Sequence, residues 1–376
     1  MESINLFKVF MADSVKDEVI KTLYSGYIGE GPKCVEFEKL VCDKIKNPLG
    51  LYVNSGTSAL HLAYQLSVNG EENEPNHDSI ILAPSTTCSA TITPILANHV
   101  KVKWVDVDPL TGNMDPTDFE RKICKNTKAV VMVHWGGNPC DIDKINEIAK
   151  KYSVKVIEDG AHSWGTKYKG EYLGNFSDFT MYSMQAIKHI SSVEGGFLFC
   201  KDKENYDKAK LMRWFGIDRF DNRQQKDLRC ENDIHYRGSK FQPNDVFATI
   251  GIENFKHFDE IVNKHKANAK IYDELFKDKI MTQPILPNAE PSYWLYTIHV
   301  KENRDTLIEK LKEDGIMSSK VHNNNHLHSV FKEYYSNLPG SDSFYKTHLC
   351  IPCNWDISAD KIQYIAERVI YHVGNL

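Results

Sequence analysis

The chain has 376 residues, of which 41% are hydrophobic and 26% charged, and this suits a globular protein of two domains. Its net charge of −5 gives no electrostatic reason to expect nucleic acid or an anionic membrane as a partner. The nine cysteines lie mostly in apolar runs, and there is no signal peptide or membrane-length apolar run, so we expect a cytoplasmic protein.

The first predicted elements leave two candidate ligand sites. An amphipathic helix over 14–23 is followed by the loop 25–32, whose three Gly and one Pro predict either a plain turn or a loop that approaches a ligand. A short strand over 51–53 then leads through the polar turn 54–58 into a helix. Unpaired N–H groups and the helix dipole would converge there on an anion, although an ordinary Ser or Thr cap is the alternative.

The middle of the chain alternates apolar strands with helices. Strands are predicted over 79–83, 100–105, 129–133 and 154–157, and helices over 85–96, 116–123 and 142–151. This alternation predicts a parallel sheet covered on both faces. Ligands of such sheets bind beyond the carboxyl ends of the strands.

Two chemically capable groups follow predicted strands of this sheet. Asp159 and His162 come directly after the strand 154–157, and Lys188 lies on a connection that the glycines 195 and 196 close. A partly desolvated Lys has a lowered pKa and a nucleophilic amine, as Schiff-base chemistry requires. An exposed Lys, a helix-capping Asp and a satisfied core His are the structural alternatives.

The last third changes character. The polar segment 216–239 contains Arg219, Arg223, Arg229 and Arg237, which predict either a solvated loop or recognition of a phosphate. A strand over 293–300 and helices over 304–314 and 359–373 predict a small α+β domain at 251–376, after a large α/β domain at 1–250. The His-rich loop 322–328 lacks a carboxylate or Cys partner, so we predict no metal.

Six segments in a fixed order resemble fold-type I pyridoxal 5'-phosphate enzymes, and more narrowly the DegT/DnrJ/EryC1/StrS sugar aminotransferases. They are residues 25–32, 54–63, 158–162, 183–189, 194–196 and 292–296. The resemblance implies an aspartate aminotransferase-like fold, with a large, mixed, mostly parallel sheet and a smaller C-terminal domain.

The resemblance also implies catalytic roles. Lys188 would form the Schiff base with the cofactor and then move a proton as general base and acid. Asp159 would pair with the protonated pyridine nitrogen, which keeps the ring an electron sink. His162 would face the O3′ oxygen of the cofactor.

Further positions are implied as cofactor contacts. The turn residues Ser55, Gly56 and Thr57, with the Ser183 hydroxyl, would hold the phosphate. Relatives commonly stack an aromatic residue on the ring from the position of Cys88, and some carry Cys there. Relatives also reach the neighbouring subunit's phosphate from the segment 240–242, which predicts a homodimer with shared sites and Gln242 as a contact.

The expected reaction is amination of a nucleotide-linked sugar. The residues 185–189 are similar to enzymes that aminate C4 of 4-keto-6-deoxyhexoses linked to UDP, dTDP or GDP, with glutamate as donor, 2-oxoglutarate as product and a pyridoxamine phosphate form in the cycle. Alternatives are a C3-keto-sugar aminotransferase, another fold-type I reaction and a non-catalytic binding protein. The candidate substrate residues are Tyr27, Gly29, His189, Arg219, His322 and His326.

Overall fold

The computed structural model describes residues 3–68, 77–218 and 234–375. The helices in these ranges are α1 (Val15–Leu23), α2 (Pro32–Ile45), α3 (Gly56–Val68), α4 (Ser89–Ala97), α5 (Pro116–Lys122), α6 (Ile142–Lys151), α7 (Lys203–Met212), α8 (Asp245–Phe255), α9 (Phe258–Phe276), α10 (Arg304–Glu313), α11 (Pro339–Thr347) and α12 (Ala359–Val373). The strands are β1 (Gly50–Val53), β2 (Ile80–Pro84), β3 (Lys101–Val105), β4 (Thr127–Val133), β5 (Lys155–Asp159), β6 (Lys167–Tyr168), β7 (Glu171–Tyr172), β8 (Phe179–Ser183), β9 (Gly196–Cys200), β10 (Met281–Thr282), β11 (Ala289–Glu290), β12 (Tyr296–His299) and β13 (His348–Ile351).

The centre of the fold is a seven-stranded sheet with the strand order β1-β9-β8-β5-β4-β2-β3. Only β9 runs antiparallel to its neighbours, β1 and β8, and the remaining pairs are parallel. This confirms the predicted mixed, mostly parallel sheet. The carboxyl ends of β5 and β8 therefore lie side by side and bring residues 159 and 183 to one edge.

Both faces of this sheet are buried, as the apolar strands predicted. Along β4, Val130 and Met132 pack into one hydrophobic cluster while Ala129 and Val131 pack into the other. Side chains that alternate along a strand point to opposite faces, so helices must cover both of them. The sheet is consequently the rigid centre from which the loops at its carboxyl edge project.

The helix predicted over 85–96 begins later, at Ser89. The Asn325 side chain donates hydrogen bonds to the carbonyls of Ser85 (3.0 Å) and Thr87 (2.7 Å), and its backbone N–H also donates to Ser85. These carbonyls are thereby used by a distant loop. A residue 240 positions away thus delays the start of α4.

The second hydrophobic centre lies around the three-stranded sheet β10-β12-β13 with α9, α10 and α12. Ile4 joins it through a parallel bridge to Ile316. The domain boundary predicted at 250/251 falls inside α8, whose Ala248 and Ile252 pack into the core of the large sheet. The two-domain division itself stays a prediction.

Two properties of the described ranges bear on membranes and metal ions as binding partners. Within the described ranges, no helix is both long and apolar enough to span a bilayer. The same ranges contain no group of three or more His, Cys, Asp or Glu side chains placed to bind a metal ion.

The glycine loop 25–31 is attached to the start of α8 by one carboxylate. Asp245, which is 1% exposed, accepts hydrogen bonds from the N–H groups of Gly31 (2.8 Å), Cys34 (3.0 Å) and Lys33 (3.1 Å). Gly31 precedes α2 and has no side chain of its own to cap that helix, so Asp245 supplies the cap from a distant helix. A Cβ at Gly31 would lie 2.6 Å from Asp245 Oδ2, which explains the glycine.

We expect Asp245→Ala to lower the free energy of unfolding by about 3 kcal/mol, because the N–H groups of Gly31, Lys33 and the buried Cys34 lose their acceptor. Urea denaturation measures this loss. The control is Asp115→Ala at the start of α5, where the side chain accepts from Thr117 N alone; it should cost about 1 kcal/mol. Equal losses in the two variants would contradict the role of Asp245.

Candidate active site

A cavity of about 600 Å³ opens at the carboxyl edge of the large sheet, beside the second hydrophobic centre. Its wall includes residues from the starts of α3 and α4, the ends of β5 and β8, the N-terminal segment and the loop 317–322. Nine of the predicted site residues line it, namely Ser55, Gly56, Thr57, Cys88, Asp159, His162, Ser183, Lys188 and His322. The fold thus gathers positions that span 268 residues of sequence into one space.

Asp159 ends β5 and is 3% exposed. Thr91 Oγ1 donates to its Oδ2 (2.7 Å) and the Ala161 N–H donates to its Oδ1 (3.0 Å). Burial raises the pKa of Asp159, while these hydrogen bonds and the nearby Lys188 charge act in the opposite direction. A carboxylate held this way is suited to pair with a protonated ring nitrogen.

Lys188 lies on the wall of the same cavity. The connection that carries it is closed by hydrogen bonds from Met184 N to Gly195 O (2.9 Å) and from Ser192 N to Met184 O (3.0 Å). Desolvation lowers the pKa of Lys188 to about 8, although the charges of Asp159 and Cys88 favour the ammonium. A sizeable fraction of this amine is therefore uncharged and nucleophilic near neutral pH.

A backbone contact sets the tautomer of His162. The Gly136 N–H donates to His162 Nδ1 (3.3 Å), so the neutral ring carries its proton on Nε2. Burial lowers the pKa of His162 well below its ordinary value, which keeps the ring neutral. Gly136 reaches this position with a φ of 63°, a conformation that favours glycine. The ring can therefore donate one hydrogen bond, as an anionic phenolic oxygen such as O3′ requires.

The start of α3, which lies against β8 and β9, is a candidate anion site. Ser55 Oγ accepts from Ser58 N (3.0 Å), while the first-turn N–H groups of Gly56 and Thr57 have no partner within the helix. A Cβ at Gly196 would lie 2.5 Å from Gly56 N, so glycine at 196 permits the close approach. Ser55 is thus the helix cap, and the neighbouring amides are the groups available to a phosphate.

Two further predicted residues, Cys88 and His322, also border the cavity. Cys88 stands before the first residue of α4 and borders the cavity. His322 comes from the loop before α11, and its Nε2 is buried without a hydrogen-bond partner, as is Ser318 Oγ in the same wall. These two atoms are free to bind polar groups of a ligand.

Five predicted residues lie outside the lining of this cavity. They are Tyr27, Gly29, His189, His326 and Gln242. Gly29 is part of the glycine loop, where its carbonyl accepts from Asp245 N (2.7 Å), and Tyr27 is 60% exposed. His189 is buried behind Lys188 with Nε2 on the Ser292 carbonyl (3.0 Å), and His326 Nδ1 pairs with Ser85 Oγ (2.7 Å). Within one chain His189 and His326 therefore make structural contacts.

Two of the predicted contacts, Arg219 and Gln242, lie in the part of the chain that precedes α8. Arg219, with Arg223 and Arg229, lies outside the described residues. Gln242 belongs to a segment that packs beside the anion site, because Asn54 N donates to Phe241 O (2.9 Å) and Asn54 Nδ2 donates to Lys240 O (3.2 Å). This segment therefore supports the turn before α3 from outside the cavity.

Sequence reasoning missed two residues with direct roles in the wall. Trp294 stacks on His162 with ring centroids 4.0 Å apart, and Lys188 Nζ lies 3.7 Å from the centroid of the Trp294 ring. Thr91 supports Asp159. The Ser- and Thr-rich run 85–91 after a predicted strand was a usable signal for Thr91. Trp294 lies in the segment 292–296 that carries the family resemblance, but nothing in that segment assigned its side chain to the site.

The donor set fits pyridoxal phosphate. A desolvated amine, a buried carboxylate, a neutral histidine donor and a glycine-lined helix start meet the needs of its aldehyde, pyridine nitrogen, phenolic oxygen and phosphate respectively. When bound, the cofactor supplies a reactive aldehyde and an electron-withdrawing ring. The fold and the site together define a fold-type I pyridoxal phosphate-dependent enzyme.

The chain belongs to the DegT/DnrJ/EryC1/StrS aminotransferase family, which matches residues 11–370. It is 29% identical over 365 residues to the UDP-4-amino-4,6-dideoxy-N-acetyl-beta-L-altrosamine transaminase of Campylobacter jejuni (strain 81-176), covering 94% of this chain and 93% of that protein. The protein is thus a pyridoxal phosphate-dependent sugar aminotransferase, as the sequence resemblance predicted.

Two solved structures have the same fold as this chain. The sugar aminotransferase CalS13 from Micromonospora echinospora superposes with a TM-score of 0.92 at 33% identity, over 98% of this chain and 99% of that chain. AtS13 from Actinomadura melliaura gives a TM-score of 0.93 at 34% identity, over 99% of each chain. The predicted fold class is therefore confirmed over nearly the whole length.

We expect Thr91→Val to weaken binding of pyridoxal phosphate by about tenfold or more, because Asp159 loses a hydrogen bond that favours its ionised form. Titration of the cofactor into cofactor-free protein measures the dissociation constant. Thr93→Val is the matched control, since Thr93 is exposed on the same helix and its hydroxyl donates only to Ser89 O. An unchanged dissociation constant for Thr91→Val would contradict the assignment.

Proposed function

We propose that this protein transfers an amino group from glutamate to C4 of a nucleotide-linked 4-keto-6-deoxyhexose. The product is a 4-amino-4,6-dideoxy sugar nucleotide of the perosamine or viosamine type. The observation that carries the proposal is the placement of Lys188 and Asp159 in one cavity of about 600 Å³. The volume lies within the usual range for ligand pockets.

Each residue of the cavity wall has a separate role in the proposed reaction. Lys188 Nζ takes the proton from the carbon that bears the donor's amino group and returns a proton when the sugar accepts that group. Asp159 would keep a positive charge on the ring nitrogen of the cofactor, and His162 Nε2 would donate to its phenolic oxygen. His322 Nε2 and Ser318 Oγ offer the unpartnered polar atoms for the sugar.

Position C4 is supported by two independent similarities. The segment 185–189 is similar to that of C4-aminating enzymes, and the relative from Campylobacter jejuni carries a 4-amino-4,6-dideoxy sugar in its name. That name also makes UDP the first nucleotide to test. A C3-keto-sugar aminotransferase is the second candidate, because both reactions need the same lysine and carboxylate.

The proposal predicts amine transfer in a defined panel. The holoenzyme is incubated with glutamate and UDP-, dTDP- or GDP-linked 4-keto-6-deoxyhexoses, and the products are analysed by mass spectrometry and by NMR of the aminated carbon. We expect an amino sugar nucleotide and an equal amount of 2-oxoglutarate. Amination at C3 would favour the second candidate, and no transfer from any substrate would contradict the proposal.

The control for this panel is Lys188→Ala, which should retain the fold but lose turnover by several orders of magnitude. Borohydride reduction of the wild-type holoenzyme should add a pyridoxyl phosphate group to the peptide that carries Lys188, and the variant should lack it. Lys203→Ala removes an exposed lysine that pairs with Asp207, so it should leave turnover unchanged. An active Lys188→Ala protein would refute the assigned chemistry.

We also propose that the protein is a homodimer. Large apolar side chains are exposed directly after α1 and on the glycine loop, with Tyr24 88%, Tyr27 60% and Ile28 57% exposed. Such a group of side chains is typical of a surface that another protein covers. Tyr27, Gly29 and Gln242, which lie outside the cavity of one chain, would then be available to the neighbouring site.

The dimer predicts a mass of two chains in light scattering after size-exclusion chromatography. Tyr24→Asp should shift the population towards the single chain, because a charge would be buried in the contact. Tyr335→Asp changes another exposed tyrosine, 65% exposed and outside α1 and the glycine loop, so the dimer should persist. A wild-type protein with the mass of one chain would exclude the proposed surface.

A further inference from the structure

Trp294 is held rigidly beside the catalytic lysine. Its side chain is 3% exposed, and its Nε1–H donates to the carbonyl of Ile187 (2.8 Å), the residue before Lys188. Phe7 stacks on it with ring centroids 4.8 Å apart and His162 with centroids 4.0 Å apart. Three independent contacts thus fix the plane of the indole.

The amine of Lys188 lies over this plane. Nζ is 3.7 Å from the centroid of the Trp294 ring, well inside the distance at which an ammonium and an aromatic face attract each other. Both residues line the cavity. Such an attraction is stronger where the charge is partly removed from water, and Lys188 is only partly exposed.

We propose that Trp294 is a positioning residue that holds the amino group of Lys188 over the indole face when that amine has left the cofactor, and that it stabilises the ammonium formed once Nζ has taken a proton. Transamination requires this amine to leave the cofactor and later return to it. A fixed indole face gives the released amine a defined place within the cavity. The inference rests on the cofactor class and not on the identity of the sugar.

The indole of Trp294 and the burial of Lys188 have opposite effects on the proton affinity of the lysine amine. Desolvation lowers the pKa of Lys188 to about 8, and the indole face stabilises the charged form and so raises the pKa. The titratable groups that face the lysine from the surrounding elements are Asp159, Cys88, His162, His189 and His322. Burial lowers the pKa of each of these three histidines, so they are neutral near pH 7 and supply no charge there.

The test is the pKa of Lys188 in the full chain, measured in two states. The cofactor-free protein and the same protein loaded with pyridoxamine phosphate are labelled over a range of pH with fluorodinitrobenzene. Mass spectrometry then gives the rate for the peptide that contains Lys188. We expect the pKa in Trp294→Leu to lie about one unit below that of the wild type in both states.

Trp294→Phe keeps an aromatic face but loses the hydrogen bond to Ile187, so its pKa should lie between those two values. Trp355→Leu is the matched control, because Trp355 borders a small cavity that also contacts Lys188 but makes no ring contact with its amine. That variant should titrate like the wild type. Circular dichroism and thermal unfolding check that each variant is folded.

The opposite sign would overturn the proposal. If Trp294 serves only as an apolar wall that excludes water, its truncation hydrates the amine and the pKa of Lys188 rises. A Lys188 pKa that is unchanged in both Trp294→Leu and Trp294→Phe would overturn the proposal as well. Neither measurement uses glutamate or a sugar, so failure of the proposed substrate assignment leaves this test intact.

Discussion

The site depends on the desolvation of a cationic side chain and an acidic one on the wall of the same cavity. Burial disfavours both charges, and it lowers the pKa of Lys188 and raises that of Asp159. Each group is therefore brought towards the pH at which an enzyme works. The parallel sheet makes this possible, because β5 and β8 are neighbours and their carboxyl ends open into one space.

The surrounding groups adjust this pair without adding charge. Thr91 and the Ala161 amide support the carboxylate, the Gly136 amide sets the tautomer of His162, and the indole of Trp294 faces the amine. Each of these partners is neutral. The cavity thus keeps a low charge density, which leaves its ionisable groups sensitive to whichever ligand enters.

The catalytic part of the site was predictable from sequence, whereas much of its support was not. Lys188 and Asp159 follow apolar strands of a βα pattern, and a parallel sheet brings such positions to one edge. Trp294 precedes β12, a strand of another sheet, and only its packing against Phe7 and His162 places it there. The start of α4 was misjudged because Asn325 binds the carbonyls that precede it.

The glycine loop and strand β1 bear on how the polypeptide folds during synthesis. β1 pairs with β9 alone, at the edge of the sheet, and the cap of α2 comes from Asp245. The sheet partner of β1 and the cap of α2 therefore become available only after more than half of the chain has been translated. Such separation along the chain slows folding and leaves an early hydrophobic segment exposed to chaperones in the meantime.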